Sequence, residues 1–167
     1  IDDTNRQRDC LLTQAIPADG VYRVVVRDVH HHGGFRYVYR MTIDESTPDF
    51  ALTLANDAFV LTPGKPLEIP VAVDRKNGFS DEIAVQAVEL PEGIRCDVVK
   101  SEAKGDSAKS VKLVLNADRG PLSGTFRVLG KSIGDEPIER TADYVISGTT
   151  AQFASAWITV AASADNK

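Results

Sequence analysis

Chemistry-bearing residues are scarce in this 167-residue chain. There are two cysteines, three histidines, one tryptophan and one methionine. Cys10 and Cys96 are too few for a disulfide scaffold and carry no C-x-x-C spacing for zinc or redox work. A bridge between them would have to join two separate domains, so both are expected to be free thiols. Basic charge is not in excess: the net charge of −5 argues against nucleic acid and anionic membrane as partners, since both are polyanions. No apolar run approaches the length of a membrane span. No leader pattern precedes Ile1, and the expectation is an excised or processed piece of a larger protein.

What the chain does have is alternation. Hydrophobic residues make up 43% and charged residues 26%, enough to bury a core. The apolar period is two almost throughout, which is the pattern of half-buried strands. Strands are expected at Cys10–Ile16, Val21–Arg27 and Phe35–Ile43, joined by the turn Pro17-Ala18-Asp19-Gly20 and by the histidine- and glycine-rich loop 28–34. The acidic, aperiodic stretch Asp44–Asp49, with Pro48, marks a domain boundary.

Further strands are expected at Phe50–Leu54, Phe59–Leu61, Leu67–Val73, Ile83–Glu89, Ile94–Val99, Ser110–Asn116, Gly124–Gly130, Arg140–Ser147 and Ala156–Ala161. Turn signals such as Pro63-Gly64, Asn77-Gly78 and Pro91-Glu92-Gly93 separate them. The expected fold is all-β: an immunoglobulin-like sandwich over residues 50–162, preceded by a partial, small sandwich or jelly-roll-like unit over residues 1–45. Ile94, Cys96 and Val98 alternate onto one face, so Cys96 is expected in the core.

Two stretches carry family resemblances. Asp9-Cys10-Leu11, Ile16-Pro17-Ala18-Asp19-Gly20-Val21-Tyr22, Val24–Asp28, Gly33-Gly34 and Tyr37-Val38-Tyr39-Arg40 resemble, in order, the C-terminal part of the bacterial pre-peptidase C-terminal domain. Arg75, Gly78-Phe79, Ile83-Ala84-Val85 and Leu90-Pro91-Glu92-Gly93-Ile94 resemble bacterial Ig-like domains. The first resemblance implies a non-catalytic β unit appended to secreted proteases and other exported proteins. It also implies strands preceding Ile1 that this chain lacks. The remnant is therefore expected to be completed from outside itself. Packing on the Ig-like domain, a second copy and a separate fragment are the alternatives.

Candidate chemistry is thin. Gly130-Lys131-Ser132-Ile133-Gly134 matches G-x-S-x-G, but a nucleophile elbow needs a following helix, and Pro137 and another strand pattern follow instead. The phosphate-loop spacing fails as well, because Gly124 lies one residue too far upstream. No catalytic residue is assigned, and no enzyme activity is expected. Asp2, Asp3, Asp9 and Asp28 are weak oxygen donors for calcium, and His30 and His32 weak ligands for a transition metal. Tyr22, Tyr37 and Tyr39 are weak candidates for a ligand platform. The reading is an accessory segment, secreted, periplasmic or at the cell surface, that positions other domains of its parent protein. The alternative is a module binding a polysaccharide, protein or surface ligand, stabilised by calcium in one version.

Overall fold

Strands with one apolar face need a second sheet to bury it, and residues 47–162 solve that problem with two sheets face to face. The computed structural model describes residues 10–146 and 151–162. The chain divides into two units, Ile1–Ser46 and Thr47–Lys167.

The second unit contains β1 (Asp49–Leu54), β2 (Ala58–Leu61), β3 (Leu67–Lys76), β4 (Glu82–Val88), β5 (Ile94–Cys96), β6 (Val99–Ser101), β7 (Ser110–Ala117), β8 (Leu122–Ile133), β9 (Glu139–Thr141), β10 (Tyr144–Val145), β11 (Gln152–Phe153) and β12 (Ala156–Val160). One large sheet has the order β1-β3-β7-β5 and the other β2-β12-β8-β4-β6, with β9 on β8, and β10 and β11 form a separate two-stranded sheet. These strand pairings are antiparallel except β2 with β12, where Phe59 lies beside Ile158. A four-strand sheet facing a larger one in this order is an immunoglobulin-like sandwich. Among the described residues, the one helical turn is the 3-10 turn Asp106–Ala108.

Alternate residues fill the core. Ile69, Val71 and Val73 of β3 face inward, as do Val111, Leu113, Leu115 and Ala117 of β7. From the other sheet come Phe126 and Val128 of β8, Ile83 and Val85 of β4, and Ile158 and Val160 of β12. Each fully buried side chain of this size contributes about 1.5–3 kcal/mol.

At both lateral margins the chain passes from one sheet to the other. On one side β5 pairs with β7, and only two residues later β6 pairs with β4. On the other, β9 pairs with β8, after which the Ala142 amide bonds Val128, the Asp143 amide bonds Leu52 of β1, and the Leu54 amide bonds Asp143. Arg140 reinforces this seam with a 3.1 Å hydrogen bond to Asp49.

Arg75 ties the sheets together from within. It stands on β3, and its guanidinium donates to the Asp81 carbonyl at 2.6 Å and to the Ser101 carbonyl at 2.9 Å. It also lies over the Phe79 ring, 5.5 Å from the centroid. The Asn77-Gly78 turn makes that return possible, with both residues at positive φ (53° and 77°) and the Phe79 amide bonded to Lys76.

Three expectations need correction. First, no strand forms among residues 10–46, so Cys10–Ile16, Val21–Arg27 and Phe35–Ile43 are not strands in this structure. Their described contacts are local, such as Tyr37 N–H to Gly34 O, and a strand needs a neighbour to pair with. Second, Ile94–Val99 is not one strand. The crossing at Asp97-Val98 breaks the alternation, leaving Val98 exposed and Cys96 half-buried beside a buried Ile94. Third, Arg140–Ser147 is two short pieces, β9 and β10, because the chain leaves one sheet for the other at Ala142-Asp143.

Asp49 yields a pH prediction. Burial works against its charge, but the Arg140 hydrogen bond and the Phe50 amide outweigh burial and hold the carboxyl below its ordinary value. A lowered folded pKa gives stability that is present above the unfolded value and lost as pH falls through the folded one. Asp49→Asn should cost less than about 1 kcal/mol at neutral pH, and the deficit should vanish in acid, as measured by urea unfolding across pH.

Candidate functional site

The G-x-S-x-G sequence covers the end of β8, where inward and outward positions alternate, and its last glycine, Gly134, lies just beyond the strand. Gly130 faces the core, and a Cβ there would stand 2.6 Å from Leu52 Cδ1 and 3.1 Å from the Phe50 ring. Ser132 is 2% exposed. Its Oγ accepts the Ile138 amide at 2.8 Å, while its own amide donates to the Ile138 carbonyl. A Cβ on Gly134 would press on the Asp81 carboxylate at 2.8 Å. The motif's glycines are thus spaces for neighbours, and its serine holds the loop between β8 and β9. The same end of the sandwich carries an open groove of about 560 Å³ among Pro48, Phe79, Ser80, Asp81, Glu136 and Ile138.

A second, smaller groove of about 340 Å³ runs between Gly64, Cys96 and Asn116. Arg95 grips both carboxylate oxygens of Asp118 at its rim, at 2.8 and 2.7 Å. Burial pushes the Cys96 thiol above its ordinary pKa, which disfavours the reactive thiolate. Cys10 is exposed, and both cysteines are free.

In the first unit, the loop after Val26 places several of the proposed ligands together. The Asp28 carboxylate accepts the amides of His30 at 2.9 Å and His32 at 3.0 Å, and the His32 amide bond foremost holds its pKa below the ordinary value. His32 Nδ1 lies 3.5 Å from the same oxygen. The His30 and His32 rings are 5.7 Å apart, and His32 stacks on Tyr37 at 5.6 Å. His31 takes φ 59°, in the left-handed region, between the two. Among the described residues, no three His, Cys, Asp or Glu side chains are arranged to hold a metal ion. Asp28 is occupied as a turn-maker. Asp2, Asp3 and Asp9 lie outside the described residues.

The tyrosines are exposed, but the ring on Tyr37 is His32, and Tyr22 donates its hydroxyl to the Ala18 carbonyl at 2.7 Å. Two aromatic features escaped the sequence reading. Trp157 stands on the outer face of β12, 46% exposed, with its indole N–H on Thr159 Oγ1. Tyr144 stacks on Phe153 at 5.8 Å and bonds the Ser155 carbonyl. Strand alternation could have placed Trp157 outward, since Ile158 and Val160 set the opposite phase.

No family model and no curated protein matches the sequence. Among solved structures, the chain is similar to domains 4 and 5 of the S-layer protein SbsC, with a TM-score of 0.35 and 15% identity, over 61% of this chain and 55% of that one. It is similar to the ZirS C-terminal domain with a TM-score of 0.35 and 13% identity, over 78% of this chain and 98% of that one. Among the described residues, no helix is long and apolar enough to cross a membrane.

Two measurements check this geometry. Gly130→Ala should destabilise by about 1–3 kcal/mol through overpacking against Leu52 and Phe50, read from thermal or urea unfolding. In the native reduced protein, Cys10 should react with a maleimide at least about tenfold faster than Cys96, and denaturant should abolish the difference.

Proposed function

We propose that this chain is a non-catalytic spacer and positioning segment of a larger exported protein. The observation that carries this reading is strand polarity. β1 leads away from the Thr47 end of the sandwich, and β3 returns towards it, with Asp49 opposite Lys76. β2 ends where β3 begins, and β12 runs parallel to β2, so the Ala161 amide bonds Leu61 at the far end. The chain therefore enters the sandwich at one end and leaves at the other. A ten-residue strand such as β3 spans about 30 Å, which sets the separation this unit imposes on whatever flanks it.

The use of polar groups supports the same reading. Arg75, Ser101 and Ser132 are committed to holding strands and loops. Lys112–Glu68, Lys100–Glu82 and Arg127–Glu89 each bridge neighbouring strands. Export to the periplasm, the medium or the cell surface, and a place beside a protease, are inferred from the resemblance of residues 9–40 to the pre-peptidase domain. The second reading, a binding module for a polysaccharide or protein, is favoured by Trp157 alone, whose exposed indole could stack on a sugar ring.

Spin labels at Thr47→Cys and Ala161→Cys, in a chain with both native cysteines changed to serine, test the spacer. The expected result is one narrow distance distribution centred near about 30 Å. A broad or short distribution would refute it. Saturable retention on a polysaccharide column, lost in Trp157→Ala, would establish the second reading instead.

A further inference from the structure

Residues 21–43 pair a strand-forming sequence with an environment that forms no strand. From Phe35 to Ile43 every odd position is apolar: Phe35, Tyr37, Tyr39, Met41 and Ile43. Arg36 and Arg40 take even positions. In the preceding run, Tyr22, Val24 and Val26 share one parity, and Arg23 and Arg27 the other. Extended side by side, the two runs would present one apolar face and one arginine-bearing face. The eight side chains of the apolar face are all exposed in the structure, between 49% and 89%. The connection between the runs is already turned at residues 28–32, where the His31 amide bonds Asp28 O and the Asp28 carboxylate fixes two further amides; a second turn, from the Tyr37 amide to Gly34 O, has to open as Phe35 and Arg36 extend.

We propose that this segment is a self-association surface. Two copies bring their Val21–Arg27 and Phe35–Ile43 runs together, apolar face on apolar face, and both runs order as strands when they meet. The area suffices: eight large side chains at roughly 100 Å² each give about 800 Å² per copy, the size of a standard specific interface. The symmetry suffices too, because a self-complementary patch closes as a twofold dimer. A second copy supplies an apolar face of the same size and shape, while the Val21–Arg27 and Phe35–Ile43 runs of each copy pair with each other. In the face-to-face dimer Arg23, Arg27, Arg36 and Arg40 point outward into water and need no partner. The preformed turn over 28–32 lowers the ordering cost. This adds a partner to the spacer reading without depending on it.

The test uses the full chain, kept reduced so that Cys10 cannot cross-link it. Sedimentation equilibrium from 1 to 100 µM should show a monomer–dimer equilibrium. The double variant Y37E/Y39E should dimerise at least tenfold more weakly, and R23E/R40E within threefold of the native chain. Amide exchange over residues 21–43 should slow as concentration rises. An unchanged melting temperature of the sandwich in Y37E/Y39E would show that the variant is folded. A chain that stays monomeric at 100 µM would overturn the proposal, as would a dimer indifferent to Y37E/Y39E. Concentration-independent protection of residues 21–43 would overturn it in favour of cover within one chain. Binding of the monomer to phosphatidylcholine–phosphatidylglycerol vesicles would overturn it in favour of a membrane.

Discussion

Burial of alternate residues on β3, β7 and β8 is the constraint from which the rest of the sandwich follows. Each of these strands has neighbours on both edges and an opposing sheet over its apolar face. With Ile69, Val71, Leu113, Leu115, Phe126 and Val128 essentially buried, a one-residue slip in any of them would turn the whole set towards water. Register is therefore fixed by the core, and the turns have only to be compatible with it. The polar contacts act on that frame. Arg75 can reach Ser101 because β3 and β6 are already placed, and Ser132 can hold Ile138 because β8 already points it inward.

The edges are the less obvious part of the solution. A sandwich built from short strands has lateral margins where backbone groups are open to other chains. Here the chain crosses between the sheets at both margins, at Asp97-Val98 and at Ala142-Asp143. Each crossing sacrifices strand length, which is why β5, β6 and β9 have only three residues each. In return, the outermost strands at the first margin are short, and at the second the outer edge of β1 is bridged at Asp143. Together with the chain entering at one end and leaving at the other, this suits a unit that keeps its neighbours apart and in line.

These features were unequally legible in the sequence. The long strands were readable because their alternation is uninterrupted and turn residues bound them; Ile83–Glu89 differs from the observed Glu82–Val88 by one residue at each end. The crossings were not readable. Ile94-Arg95-Cys96-Asp97-Val98 alternates as cleanly as a true strand, and only the positions of β4 and β7 decide that the chain must switch sheets within it. Arg75 and Gly78-Phe79 flank a turn, and the pattern alone does not reveal that arginine and phenylalanine meet across it. The candidate ligands were legible only as residue types. Asp28 has the composition of a ligand and the geometry of a turn, because two backbone amides reach its carboxylate first.

The same period-two pattern has opposite outcomes in the two units, and the difference lies in partner supply rather than propensity. Phe35–Ile43 alternates at least as strictly as β7, and its apolar positions carry larger side chains. β7 has β3 and β5 as neighbours and a second sheet across the core, so its ordering entropy is offset by both pairing and burial. Residues 21–43 hold two such runs and no third strand, and the two cannot cover each other's apolar face because they would share it. Strand formation is a property of the assembly in which a segment finds itself. The exposed tyrosines and valines of residues 21–43 are thus coherent with their sequence: they keep the alternation of a sheet face where no strand is paired.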